Sequence, residues 1–455
     1  MRSTILEARF LLFLIAVSIA STGCGAGNRP AEATTRSSSV SSGGGADFSL
    51  RTTVAIPGAP LKAFDISWVD TGTRRYYLAD RSNAGVDVVD SRTSSFVGRI
   101  EGDFAGADPR GNDFSGPNGV VVIHDAERVR HAGRSVPGKK MESDDAESDQ
   151  DKGGSRSSAH ELWAGDGPRV LHAGEAPQSS VKVFNLDSTP PTLVAAIPTG
   201  GSRRSDEMAH DPRHHLLAVV NNADDPPFLS LISTRPPRNV VVRIAFAPGD
   251  PHYPFKNAVT GGLEQPRWVP KTGRFYVSVP ELDGDATKGA VAVVDPVAQM
   301  VTDLLPVSNC QPAGLELGPR QQLLIGCADP SRSIVLDATT GAIVAIIKEV
   351  GGSDEVWFNP GDERYYLAAR NDPSGPSLGI IDAGTNAFVG KVPTAFNAHS
   401  VAADPRNNHV FVPLTPPRSG TSDPDPCVKS GGPTFTGRGC IGVYWRSGAE
   451  DDDEG

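Results

Sequence analysis

A chain of 455 residues with 43 Lys and Arg against 54 Asp and Glu carries a formal net charge of −11. No basic patch stands against that acidic excess, which excludes a nucleic-acid binder. With 49 Gly, 38 Pro and no long apolar stripe at helical spacing, a helical bundle is excluded as well.

The first segment reads as a targeting signal. Arg2 and Arg9 flank a short start that holds Glu7, and an apolar run from Phe10 to Ala20 follows. That run is too short to span a bilayer but suits the core of a signal peptide. It ends in Ser21-Thr22-Gly23-Cys24, which resembles a bacterial lipobox, with Ser21 where that pattern has an aliphatic residue. The resemblance implies cleavage before Cys24 and acylation of its thiol and new amine. An ordinary secretory cut nearby is the alternative. Gly25 stands where an inner-membrane retention signal has aspartate, so the expected address is the outer membrane of the cell envelope, with membrane contact through the lipid alone. Residues 25–47 are mostly Ser, Gly, Ala and Thr and read as a disordered tether, because so little apolar surface cannot offset the entropy of ordering. The stretch at about 133–159 and the acidic tail at 448–455 read the same way.

Between these segments, over 48–447, one theme recurs. The segments Arg75-Tyr76-Tyr77-Leu78-Ala79-Asp80, Arg274-Phe275-Tyr276-Val277-Ser278-Val279, Arg364-Tyr365-Tyr366-Leu367-Ala368-Ala369 and His409-Val410-Phe411-Val412-Pro413 share one pattern. So do the strands ending at Asp90, Asp295 and Asp382, and the turns that follow Asp90, Asp337 and Asp382. Alternating β-branched and aromatic residues bounded by turn formers are strand signals, and four strands per repeat define a propeller blade. First strands begin near Asp65, Asn118, Asp206, Glu264, Ala313, Asp354 and His399. The later starts lie about 40–60 residues apart, as blades with loop insertions do. The wide interval after Asn118 holds the 133–159 insertion. The expected fold is all-β, a seven-bladed β-propeller of four-stranded antiparallel blades. After His409–Leu414 one further strand remains, Cys440–Trp445, so the segment 48–56 is expected to complete the last blade and close the ring.

The loop and strand Asp80-Arg81-Ser82-Asn83-Ala84-Gly85-Val86-Asp87-Val88-Val89-Asp90 resembles the repeat of the bacterial YVTN-type seven-bladed propellers, and the likeness recurs over about 60–415. The resemblance implies the fold. It leaves function open, since propellers of this kind include gluconolactonase-like metal hydrolases, haem-binding nitrite reductase domains and non-catalytic envelope proteins.

In a propeller the first strands line the axial channel, and their starts share one mouth with the loops after the second strands. Asp65, Asn118, Asp206, Glu264, Asp354 and His399 would form a ring there, with Glu207, Gln265 and Glu355 beside it. Asp80, Arg81, Asp166, Asn222, Asp224, Glu281, Arg370 and Asn371 come from the second-strand loops. Carboxylates and an amide converging on one point suit calcium or another divalent cation, which takes six to eight oxygens. Such a cation would polarise a lactone or ester carbonyl. The plainer reading is that these groups bind strand-end amides and channel water. His399 is the candidate catalytic residue, as general base or metal ligand; a hydrogen-bonded channel histidine is the alternative. A single ring histidine excludes a copper–sulfide centre, and no Cys-x-x-Cys-His or phosphate loop occurs.

Besides Cys24 there are four cysteines, which fit an oxidising compartment. Neighbouring antiparallel strands place Cys310 near Cys327, and Cys427 and Cys440 bracket one loop of the last blade, so these two pairs are expected. Crossed pairing and four reduced thiols are the alternatives. Together these features suggest a lipid-anchored scaffold that engages a protein, glycan or small ligand through its mouth loops. The alternative is a metal-assisted hydrolase of lactones or esters.

Overall fold

Short runs of β-branched and aromatic residues, each closed by Asp, Asn or Gly, become strands in the computed structural model. It describes residues 48–124, 160–171, 173–428 and 437–447. The expectations for 1–47, Cys24 among them, for 133–159 and for 448–455 lie outside the described residues.

Seven four-stranded antiparallel sheets form a seven-bladed β-propeller. Blade 1 is β2 (Ser67–Asp70), β3 (Arg75–Asp80), β4 (Gly85–Asp90) and β5 (Ser95–Glu101). Blade 2 is β6 (Val120–His124), β7 (His160–Arg169), β8 (Gln178–Asn185) and β9 (Thr192–Pro198). Blade 3 is β10 (Met208–Asp211), β11 (Leu216–Asn221), β12 (Phe228–Ser233) and β13 (Val240–Ala245). Blade 4 is β14 (Pro266–Val269), β15 (Arg274–Val279), β16 (Lys288–Asp295) and β17 (Met300–Ser308). Blade 5 is β18 (Pro312–Leu317), β19 (Gln322–Cys327), β20 (Arg332–Asp337) and β21 (Ile343–Ile347). Blade 6 is β22 (Val356–Asn359), β23 (Arg364–Ala369), β24 (Ser377–Asp382) and β25 (Ala387–Pro393). Blade 7 joins β26 (Ala402–Asp404), β27 (His409–Leu414) and β28 (Cys440–Arg446) to β1 (Phe48–Val54) from the other end of the sequence.

That last sheet is the expected closure. Phe48 lies opposite Arg446 and Val54 opposite Ile441. Aromatic packing seals the seams: Phe48 stacks on Tyr366 of blade 6 at 5.7 Å, and Tyr76 of blade 1 stacks on Phe411 of blade 7 at 4.9 Å. The core lies between adjacent blades, where second and third strands bury Tyr76, Trp163, Phe275, Tyr365 and Tyr444. Both expected disulfides are present, Cys310–Cys327 with Cα atoms 5.0 Å apart and Cys427–Cys440 with Cα atoms 5.8 Å apart.

The repeated aspartates at third-strand ends are turn formers. The Asp90 carboxylate accepts the Thr93 N–H at 2.9 Å, and Asp382 accepts the Thr385 N–H at 2.8 Å. The turns then pass through left-handed residues, Ser94 with φ 51° and Asn386 with φ 58°. This short hairpin geometry suits the twist of the strands it joins.

Candidate functional site

The inner strands begin with an irregularity that creates the site. In blade 1 the Asp65 N–H donates to Ala79 O, and the Ala79 N–H donates to Ile66 O, so two inner residues face one outer residue. The same holds for Asn118 and Gly119 against Gly165, Asp206 and Glu207 against Val220, Glu264 and Gln265 against Ser278, and Asp354 and Glu355 against Ala368. In blade 5 the register shifts between Pro312 and Leu315. A β-bulge of this kind bends its strand and re-aims side chains. It yields two neighbouring rows, Asp65, Asn118, Asp206, Glu264, Ala313 and Asp354 in the first and Ile66, Gly119, Glu207, Gln265, Gly314 and Glu355 in the second; blade 7 joins them with His399, 3.5 Å from Asp65, and Ser400, bonded to Glu355. The glycines permit the close approach of blades, for a Cβ on Gly119 would sit 2.3 Å from Asp206 O and one on Gly314 2.3 Å from Asp354 O.

In the first ring, cations from the adjoining loops meet the carboxylates. Arg81 is buried, pairs with Asp65 and donates from Nε to Asn118 Oδ1 at 3.0 Å. Asp65 also lies 3.5 Å from His399 Nε2. The His399 ring is held by Asn397 O, 2.7 Å from Nδ1, and by stacking on Phe64 at 4.6 Å. Arg204 Nε lies 2.8 Å from Asp206 Oδ2, and Arg370 Nη2 lies 2.9 Å from Asp354 Oδ2. The strand pattern does not mark Arg204, which stands two residues before the strand start at Asp206; the basic pair Arg203-Arg204 is its signal in the sequence.

The electrostatics follow from burial and partners. Burial acts to raise the Asp65 carboxyl, but Arg81 and His399 outweigh it and hold it well below the carboxylate range. Asp206 is pushed up to about 7, by burial first, with Arg204 opposing and Asp65 adding. Burial, then Asp354 and Asp206, raise Glu264 well above its ordinary value. Burial depresses the Arg81 guanidinium.

The second ring ties blades together. Gln265 Oε1 accepts the Leu315 N–H at 2.6 Å, and Glu355 Oε2 accepts the Val401 N–H at 2.9 Å and the Ser400 hydroxyl at 2.5 Å. Burial pushes Glu355 up to about 8, against these hydrogen bonds. Among the described residues, Glu207 Oε2 has no hydrogen-bond partner. Further along the inner strands, Trp68 packs edge-on against Trp357 at 5.1 Å and Arg267 Nε lies 2.8 Å from Glu316 Oε2.

The loop residues divide. Arg81 and Arg370 reach the ring. Asp80 does not: its carboxylate accepts from the Asn83 amide at 2.6 Å and lies 3.4 Å from Arg99 Nη2, toward the outer strands of blade 1. Asp166 likewise pairs with Lys182 at 2.9 Å. Asp224 accepts from the Ser202 N–H and hydroxyl, both at 2.7 Å, and Glu281 accepts from the Thr260 hydroxyl at 2.7 Å, so both brace neighbouring loops. Asn371 is exposed, its N–H donating to Gly352 O at 3.0 Å. Asn222 and Asp224 line an open cavity of about 580 Å³ with Thr260 and Gly262. A second cavity, about 330 Å³, lies between Arg370, Phe396, Pro417 and Arg418, with the Arg418 guanidinium 4.7 Å from the Phe396 ring. Both sit where second strands end and first strands begin, on the face of the ring.

Asp65, Asp206 and Asp354 each face a guanidinium, and among the described residues no three His, Cys, Asp or Glu side chains are grouped to hold a metal.

Fold and mouth together define a seven-bladed β-propeller with a buried ionic ring at one end of its channel. No protein-family model matches the chain, and no curated protein matches it. Among solved structures it is similar to a chain in the crystal structure of a mitotic checkpoint complex, with 11% identity, a TM-score of 0.52, and 90% of this chain and 96% of that one covered. It is also similar to a chain of Kuenenia stuttgartiensis hydrazine synthase, with 12% identity, a TM-score of 0.50, and 79% of this chain and 95% of that one covered. At such identities the likeness carries the fold alone.

Proposed function

We propose that the protein is an exported, lipid-anchored binding propeller whose channel mouth receives a polar ligand or a partner's side chain. The observation that carries this is the ionic ring. Burying ion pairs costs desolvation that their attraction barely repays, so they add little to stability. Concentrating Arg81, Arg204, Arg370, Asp65, Asp206, Glu264, Asp354 and His399 at one mouth makes sense as a preformed polar recognition surface. The two open cavities on the same face support that reading. The paired cysteines support an oxidising compartment, and the YVTN-like repeats suit an envelope protein.

Ligand binding is tested by thermal shift against sugars, sugar acids, amino acids and short peptides. A member of the set should raise the Tm of the wild type and of R92E, a substitution in the turn at the opposite strand ends. The double variant D354N/R370A should lose the response. No response from any member, or an equal response in D354N/R370A, overturns the reading. The anchor is tested separately. Expressed in a lipoprotein-processing bacterium, the wild type should fractionate with membranes and C24S should be released; equal fractionation of the two removes Cys24 from the account.

A further inference from the structure

Of the three long acceptor side chains in the second ring, Gln265 and Glu355 share one pattern and Glu207 departs from it. Gln265 of blade 4 accepts the N–H of Leu315 in blade 5 at 2.6 Å and that of Val356 in blade 6 at 3.4 Å. Glu355 of blade 6 accepts the N–H of Val401 in blade 7 at 2.9 Å and is hydrogen-bonded by the Ser67 backbone of blade 1. In each case the donor stands two residues after the first-ring position, and the acceptor spans the next two blades. Glu207 of blade 3 occupies the same place. Its first donor would be residue 266 of blade 4, which is proline and has no N–H. Its second would be Leu315, whose N–H is already given to Gln265. Glu207 is only 6% exposed, and its Oε2 is left without a partner among the described residues.

We propose that Glu207 is the receptor for the primary ammonium group of a small amine ligand entering the mouth, with Glu264 as a second acceptor. This rests on the mouth being a binding site. A buried carboxyl oxygen without a donor is costly, which favours a ligand that brings its own. The acidic groups that act on Glu207 are Glu264, Asp206, Asp354 and Glu355, so that donor should be positive. The nearby guanidiniums are committed, Arg204 to Asp206 and Arg370 to Asp354. A calcium ion would need six to eight oxygens, which this sector does not group; an ammonium needs about three acceptors at hydrogen-bond distance. Burial first, then Glu264 and Asp206, push the Glu207 carboxyl well above its ordinary value. Arrival of a cation should therefore expel the carboxyl proton.

The test is titration calorimetry of the full chain with methylammonium, 1,4-diammoniobutane, tetramethylammonium and calcium, in two buffers of different ionisation enthalpy. The primary amines should bind saturably with proton release, while tetramethylammonium, which has no N–H, and calcium should not. E207Q should weaken amine binding at least tenfold and reduce the protons released per amine bound. P266A restores the missing N–H, so it should hold or raise the Tm while weakening amine binding several-fold. Absence of amine binding by the wild type, unchanged binding in both variants, or calcium binding in place of the amines overturns the proposal. If a ligand response is still lost in D354N/R370A while amines do not bind, only this inference falls. If D354N/R370A responds as the wild type does, the mouth reading falls with it.

Discussion

Asp80 and Asp87 share one guanidinium. Arg99 Nε lies 2.7 Å from Asp87 Oδ1, while its Nη2 lies 3.4 Å from Asp80 and donates to Pro57 O at 2.9 Å. One cation cannot neutralise two buried carboxylates, so burial, with Asp80 adding, pushes Asp87 up to about 8. Asp206 at about 7 and Glu355 at about 8 behave alike. Each of these groups keeps a proton in the folded state that the unfolded chain releases near pH 4. Between about pH 4 and 8 the native state therefore binds more protons, and stability falls as pH rises. The limit is roughly 1.4 kcal/mol per pH unit for each such group. Asp65, held low, acts in the opposite direction, but only below about pH 4. The Tm should therefore decline from pH 5 to pH 8.5, and D87N should flatten the upper part of that decline. A level profile in the wild type, or an equal slope in D87N, would count against the protonated pair.

At the scale of the element, the repeat was legible because its conspicuous residues build hairpins. Arg75 at the start of β3 pairs with Asp90 at the end of β4 at 2.5 Å, and Arg274 pairs with Asp295 at 2.9 Å. Such cross-strand pairs and turn-forming aspartates recur with the blade, so they mark its phase and say nothing of a ligand. The strand starts were legible for the same reason, and with them the ring. The bulge was not, because it inserts no characteristic residue. Ordinary pairs such as Asp65-Ile66 and Asp354-Glu355 form it through backbone hydrogen bonds alone. Without it, the strand period of two suggests that neighbours face opposite sides, so the sequence set Glu207 beside Asp206 without a backbone reason for it. The direction of Asp80 was hidden too, since residues 80 and 81 both precede a turn and only the turn sends Arg81 inward. Cys310–Cys327 was readable from strand order because Cys310 lies two residues before the bulged start of β18 and Cys327 ends β19.

At the scale of the whole molecule, a ring of blades is only as stable as its closure. Each blade buries its faces against its neighbours, so an open seam exposes two faces and a sheet edge. Here the seam is held by β1, which pairs along β28 and carries Phe48 onto Tyr366 of blade 6. The Arg51 guanidinium adds a hydrogen bond to Trp445 O at 3.1 Å. Phe48 is 3% exposed and Val54 4%, so both ends of the closing strand are anchored in the core. Truncating a buried phenylalanine costs about 3–5 kcal/mol through lost transfer energy and the cavity left behind. F48A should therefore lose that much in urea unfolding, a large share of a typical total of about 5–15 kcal/mol. Deleting residues 48–54 should cost more and produce concentration-dependent association, because the unpaired edge of β28 becomes a template for another chain. A loss below about 1 kcal/mol in F48A, together with a monomeric, normally melting deletion variant, would mean that the ring holds without its closing strand.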